Sequence, residues 1–290
     1  MNYHIRMENI ILGSAGWRNK YAGKENILSK NEIRTLLLEI PKSGIRHIDT
    51  APSYGDAEKI ILKWADQSIR IDTKLDKFDD LQDFYNKLKK LGRSLNRIHT
   101  IYFHDPEIIQ KNSPSELFKY YEEVKKIGCN MGFSLYDLKS LNSAYSLFPN
   151  NYDVLFQLPI NLLDLKFLKF ILENNIELDR IIARSIFSRG LIFLDDSQIP
   201  SCFPNNYLKV KELFEKNYQK PFSQKSLFEL TFSLIKFCHK KEIKTLFGVN
   251  TIEEIHSIIK NTQKNFNVNF EWDDMIQQSK TINKIEDLVL

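Results

Sequence analysis

Apolar residues recur along this chain in two alternating rhythms. Short, nearly continuous apolar runs predict strands at Ile10–Ser14, Ile45–Asp49, Ile69–Lys74, Thr100–His104, Cys129–Ser134, Val154–Leu158, Arg180–Ser185 and Thr245–Val249. Between them, apolar residues fall three and four apart, the spacing of one helix face. Ile33, Leu36, Leu37 and Ile40 give such a face to a helix over Lys30–Ser43, with Ser29 placed to cap it. Further helices are predicted at Asp56–Ala65, Leu81–Gly92, Ser115–Ile127, Leu138–Leu147, Asp164–Glu173, Lys225–Lys240 and Ile252–Asn261. The stretch Phe187–Gln224 interrupts the rhythm with Gly190, Pro200, Pro204 and Pro221, and predicts one short helix near Leu208–Glu215. The tail after Phe266 holds Trp272 and a further predicted helix.

Strand and helix alternate eight times with short links, the pattern of a parallel sheet. Eight repeats close most simply into a single-domain (β/α)8 barrel over residues 1–290, with 265–290 packed on it as a tail. An open sheet of six or seven strands is the alternative architecture.

Buried parallel strands are normally apolar on both faces. Six of these are not. Asp49, Lys74, His104, Ser134, Gln157 and Arg184 stand at or near the last position of successive strands. Their neighbours Ile48, Thr73, Phe103, Phe133, Phe156 and Ala183 are mostly apolar and take the opposite face, because strand side chains alternate. The polar set therefore points inward at the carboxyl end of the barrel, where barrel enzymes hold their chemistry. A polar plug satisfied by its own hydrogen bonds is the plainer alternative.

Composition narrows the classes. The 290 residues are 42% hydrophobic and carry a formal charge of +4 with no basic block, which argues against nucleic acid as a partner. Cys129, Cys202 and Cys238 are far apart and form no CxxC pair, so neither a disulfide framework nor a zinc knuckle is expected. The first nine residues lack an apolar signal core, and no run is long enough to span a bilayer. A cytoplasmic protein without a membrane partner is expected. No GxGxxG follows any strand, and Gly23-Lys24 lacks the remainder of a phosphate loop.

The segment Gly44-Ile45-Arg46-His47-Ile48-Asp49-Thr50-Ala51-Pro52-Ser53-Tyr54-Gly55 resembles the signature of the aldo-keto reductases. The resemblance extends over nearly the whole chain, and it implies a (β/α)8 barrel binding a nicotinamide dinucleotide without a Rossmann motif. It assigns a catalytic tetrad to Asp49, Tyr54, Lys74 and His104. It also implies cofactor contacts at Thr50, Ser134, Gln157, Arg184, Ser185, Phe187, Gly190, Gly248, Val249, Asn250 and Glu254. The sequence departs from the family pattern in places. Leu135 follows Ser134 where relatives often have Asn, Asn250 stands where NADP(H)-preferring relatives often have Arg, and Ser257-Ile258 align with a Glu-Asn pair that meets the adenine. NADP(H) is expected, with NAD(H) as the alternative. Arg184 replaces an aromatic under the nicotinamide, either as a cation on the cofactor or as a structural ion pair.

The chemistry of these residue types agrees. Carbonyl reduction needs a proton donor beside the developing alkoxide. A phenol is a weak acid for that task unless a cation lowers its pKa. Lys74 supplies the cation, Asp49 keeps it charged and His104 orients the carbonyl. The expected activity is hydride reduction of a small-molecule aldehyde, ketone or sugar, with Trp17 and Tyr21, and Trp272 from the tail, as an aromatic wall for the substrate; oligomeric state is not indicated. Two other classes stay open: a cofactor-binding regulatory or scaffold protein with little turnover, and a metal-dependent hydrolase built on His47, Asp49, His104 and Asp105.

Overall fold

Local sequence starts most of the helices. Ser29 accepts from the Glu32 amide while the Glu32 carboxylate accepts from the Ser29 amide, and this capping box opens α1 (Lys30–Glu39). The helix stops before the expected Ser43 because Pro41 has no N–H to continue the ladder, and the chain turns through Pro41–Ser43 instead. A second capping box, Ser113 with Glu116, opens the helix at Pro114. Asp80, Asp137, Ser223 and Thr251 cap four more.

This computed structural model describes residues 6–19, 27–105, 107–193, 204–218, 221–264, 266, 272, 275 and 276. Its strands are β1 (Ile10–Gly13), β2 (His47–Asp49), β3 (Arg70–Leu75), β4 (Ile98–Phe103), β5 (Asn130–Ser134), β6 (Leu155–Pro159), β7 (Ile181–Arg184) and β8 (Lys244–Gly248). All eight are parallel and neighbour one another in chain order, and β8 returns to β1 through Gly13 and Gly248, so the sheet closes. The helices are α1, α2 (Ala57–Trp64), α3 (Leu81–Leu91), α4 (Glu107–Lys111), α5 (Pro114–Lys126), α6 (Leu138–Leu147), α7 (Lys166–Glu173), α8 (Pro204–Tyr218), α9 (Gln224–Lys240) and α10 (Ile252–Gln263). The short helix expected at Leu208–Glu215 extends to fifteen residues in α8, and α4 was not anticipated.

Two cores follow from strand alternation. Ile48, Phe103, Phe133, Phe156 and Ala183 face outward into the large core beneath the helices. Inside the barrel, Ile11, Tyr102 and Ile182 pack together with Leu155 and Leu246. Tyr102 fits only because Gly132 faces it. A Cβ there would lie 2.5 Å from the ring's Cδ1 and 3.0 Å from the Leu155 carbonyl oxygen. Gly132→Ala is therefore expected to destabilise the fold by about 1–3 kcal/mol through overpacking, read as a lower midpoint in chemical denaturation.

Arg180, expected to open β7, instead clamps the preceding segment. Its guanidinium donates to the carbonyls of Phe148, Pro149 and Val154. From the tail, Trp272, Met275 and Ile276 are buried, and the Trp272 indole N–H donates to Ser233 Oγ on α9. Cys129 and Cys238 are buried free thiols, while Cys202 lies outside the described residues. Among the described residues, no helix is long and apolar enough to cross a membrane.

Candidate active site

At the carboxyl end of the barrel an ion pair sits almost out of solvent. Lys74 Nζ, near the end of β3, lies 2.5 Å from Asp49 Oδ1 at the end of β2, and each side chain is 3% exposed. The ammonium also donates to the Thr50 carbonyl at 3.3 Å and bonds the Tyr54 side chain. Tyr54 is half-buried in the loop after β2, with its ring centroid 5.2 Å from Nζ. Burial opposes the charge on Lys74, yet Asp49 and then Tyr54 hold its pKa above the usual lysine value. The second Asp49 oxygen accepts from Gln157 Nε2 at 2.6 Å. Asp49, Tyr54, Lys74 and Gln157 thus form one connected set from β2, β3 and β6.

His104 follows β4 and is half-buried. Its Nε2 lies 2.9 Å from the Tyr136 hydroxyl. Burial first, then the charges of Lys74 and Arg184, lower its pKa, so the imidazole is neutral at pH 7. Tyr136 in turn lies under the Arg184 guanidinium, 4.2 Å from Cζ to the ring centroid, and Arg184 donates to the Leu135 carbonyl at 2.9 Å. Of the two roles expected of Arg184, the structural ion pair is not formed among the described residues. Arg184 is a stacked cation tied to the β5 loop. Tyr136 carries no signal in the sequence, because it lies in the loop after β5 where no periodicity fixes its direction.

Three polar atoms on adjacent strands are buried without a hydrogen-bond partner among the described residues: Ser134 Oγ, Gln157 Oε1 and Arg184 Nε. Native structures leave few such groups.

A family model of the aldo/keto reductases matches residues 9–260. The chain belongs to the aldo/keto reductase family. Solved aldo-keto reductases share its fold. One from Bacillus halodurans in its apo form superposes with a TM-score of 0.63 at 19% identity, covering 89% of this chain and 90% of that one. One from Klebsiella pneumoniae, solved with NADP and acetate, gives 0.59 at 11% identity, with 93% and 89% covered. An aldo-keto reductase from a deep-sea metagenome library gives 0.57 at 18% identity over 100% of both chains. No curated protein matches the sequence.

In this reductase fold the remaining expected positions fall into three groups. Ser185 leaves β7 in the left-handed region, φ 55°, and its carbonyl accepts from the Ser188 amide in a turn that Gly190 closes at φ 93°. This turn lies beyond the end of β7, Gly248 is the last residue of β8 and Asn250 follows it; Gly248 is exposed and a Cβ on it would meet nothing within 4 Å. Glu254, in the first turn of α10, is already engaged by the Asn250 amide at 2.6 Å. Other positions are structural in their side chains. Thr50 is fully buried and bonded to Ser14, Val249 belongs to the core, and Phe187 packs against Phe232 and Phe247.

The aromatic wall is corrected. Trp17 has no exposed surface, and its indole N–H donates to the Val249 carbonyl at 2.6 Å. It pins the β1 loop to the β8 loop and cannot touch a substrate. Trp272 packs on α9, and Tyr21 lies outside the described residues. The metal quartet is not assembled either. Asp49 is spent on Lys74 and Gln157, Asp105 accepts from the Glu107 amide, and His47 lies deeper, against Asp72. A cleft lined by Leu75, Lys77, Phe78, His104 and Lys111 opens beside His104.

Proposed function

We propose that this protein reduces a small-molecule aldehyde, ketone or sugar carbonyl with NADP(H), using Tyr54 as general acid. The observation supporting this most directly is the ammonium of Lys74 bonded to the Tyr54 side chain and clamped by buried Asp49. As a carbonyl oxygen gains charge it takes the Tyr54 proton, and Lys74 stabilises the phenolate left behind. Asp49 keeps Lys74 cationic against the cost of burial. His104, being neutral, orients the carbonyl by hydrogen bonding without competing for the proton. The cleft beside it would take the rest of the substrate.

The dinucleotide, when bound, supplies the hydride. The residues present fit its nicotinamide. A carboxamide offers two donors and one acceptor, and the unpartnered Gln157 Oε1 could accept from it while the Ser134 hydroxyl and Arg184 Nε could donate to it. The relatives solved with NADP favour the phosphorylated form. Against it, Asn250 holds a phosphate less firmly than the planar guanidinium of an arginine would.

Fluorescence titration with NADPH and NADH, followed by oxidation assays across an aldehyde and ketone panel, tests the reading. Quenching by NADPH with turnover of part of the panel is expected. No quenching by either dinucleotide removes the proposal, and tight binding without turnover leaves the scaffold alternative. The pH profile is a further check. The lowered pKa of His104 places its protonation below the ordinary 6.5, so kcat/KM for reduction should be flat just above that pH and fall only toward alkaline pH as the phenol loses its proton. An acid limb above pH 6.5 that vanishes in His104→Asn contradicts the neutral role.

A further inference from the structure

Below the Asp49–Lys74 pair the barrel holds a second polar cluster that the proposed reaction does not use. Three consecutive strands build it: His47 opens β2, Asp72 is third in β3 and His99 second in β4. Nε2 of His47 lies 2.8 Å from Asp72 Oδ2, and Nδ1 of His99 lies 3.5 Å from Asp72 Oδ1. One ligand-type atom from each residue falls within 4.8 Å of the other two. The Asp72 side chain has no exposure and that of His47 has 7%, while His99 is 34% exposed.

A β-bulge brings the third member in. The register of β3 on β4 passes from Ile71↔Ile98 to Asp72↔Thr100, so His99 is the extra residue. An unbroken ladder would place His99 on the face of Ile101 and Phe103, under the helices. The bulge turns it toward Asp72 instead, the kind of re-aiming for which bulges are retained.

The cluster converges on one buried carboxylate. His47 Nε2 and Asp72 Oδ2 pair at 2.8 Å; burial opposes the charge on Asp72, yet both imidazoles interact with its carboxylate and hold its pKa down. Nε2 and both Asp72 oxygens are without a hydrogen-bond partner among the described residues. A fully buried carboxylate is normally held by several donors. Here the donors that reach it among the described residues are the two imidazoles, at 2.8 and 3.5 Å, and neither meets it in ideal hydrogen-bond geometry. An ion between them would satisfy all three.

We infer that His47, Asp72 and His99 form a site for a divalent transition-metal ion of the Zn2+ type, with water as fourth ligand. Two imidazoles and a carboxylate suit such an ion. Around a tetrahedral ion with bonds of about 2.0–2.1 Å, neighbouring ligand atoms stand roughly 3.3 Å apart. The three ligand atoms, now within 4.8 Å of one another, would draw together, and His99 Nδ1 would exchange its 2.9 Å contact with the Thr100 hydroxyl for the ion. Asn130 Nδ2 lies 3.4 Å from His99 Nε2 on the far side of the ring. The ion would enter past half-exposed His99 at the amino-terminal end, away from the dinucleotide. It would tie together β2, β3 and β4, which carry Asp49 and Lys74 and lead into His104.

The test uses full-length protein without a histidine tag, stripped with a chelator and titrated with Co2+, then Zn2+. One equivalent of Co2+ per chain should produce visible d–d absorption, Zn2+ should displace it, and either ion should raise the Tm. His99→Ala and Asp72→Asn should abolish both effects. Should Asp72→Asn fail to fold, the half-exposed His99 position still decides. A wild type that takes up neither ion in excess metal, or a His99→Ala chain that binds as the wild type does, overturns the assignment. Neither result bears on dinucleotide binding.

Discussion

Tyr54→Phe is expected to lower the rate of carbonyl reduction by about 10²–10⁴, the usual contribution of a positioned general acid. The substitution removes one oxygen and keeps the ring, so the packing of the half-buried side chain over Lys74 should survive. The loss should therefore appear in kcat, with dinucleotide affinity measured by fluorescence quenching unchanged. That split matters, because Lys74 carries two neighbours. Asp49 is the nearer and holds the ammonium whether or not the phenol is there. Tyr54 draws on a charge that already exists, and its removal should not unfold the site. Equal turnover by the Phe variant and the wild type would sink the assignment of Tyr54. A variant that also lost dinucleotide binding would point to a structural role for the loop instead.

How much of this was legible in the sequence differs residue by residue. The closed barrel was, because eight strand-and-helix pairs with short links leave few ways to bury both faces of the strands. The convergence of Asp49, Lys74 and Gln157 was too. Each is a polar residue on an otherwise apolar strand, and strand alternation alone fixes the face it takes. Trp17 was not. It lies in a loop, where no periodicity says which side faces inward, and only the Val249 carbonyl in the loop after neighbouring β8 shows why it is buried. His99 was hidden for a different reason. Its inward position depends on a bulge, which breaks the rule that made the other strand residues readable. Tyr136 lies two residues past the end of β5, so its approach to His104 is set by the loop path and by the Arg184 guanidinium stacked on it. The five-residue helix α4 is too short to leave a periodic signal.

The largest expected effect on stability lies in the same ion pair. Lys74→Met should destabilise the fold by about 3–5 kcal/mol, because it leaves the Asp49 carboxylate buried beside an apolar chain. The sign with pH follows from the pKa. Lys74 titrates above its free value of 10.5 in the folded protein, so its stabilisation is complete below that pH and is lost only as pH rises through the folded value. The difference between wild type and variant should thus be full at neutral pH and shrink in strong alkali. Much of the penalty belongs to the stranded carboxylate, not to the lost ammonium. Adding Asp49→Asn should then recover part of the stability, since a neutral amide oxygen can still accept from Gln157 Nε2. It should recover none of the activity, because the ammonium proposed to assist Tyr54 is gone. Denaturation midpoints and kcat for the single and double variants give both couplings in one cycle. Additive stability losses would mean that the two side chains do not depend on each other, and the electrostatic account of Tyr54 would lose its foundation.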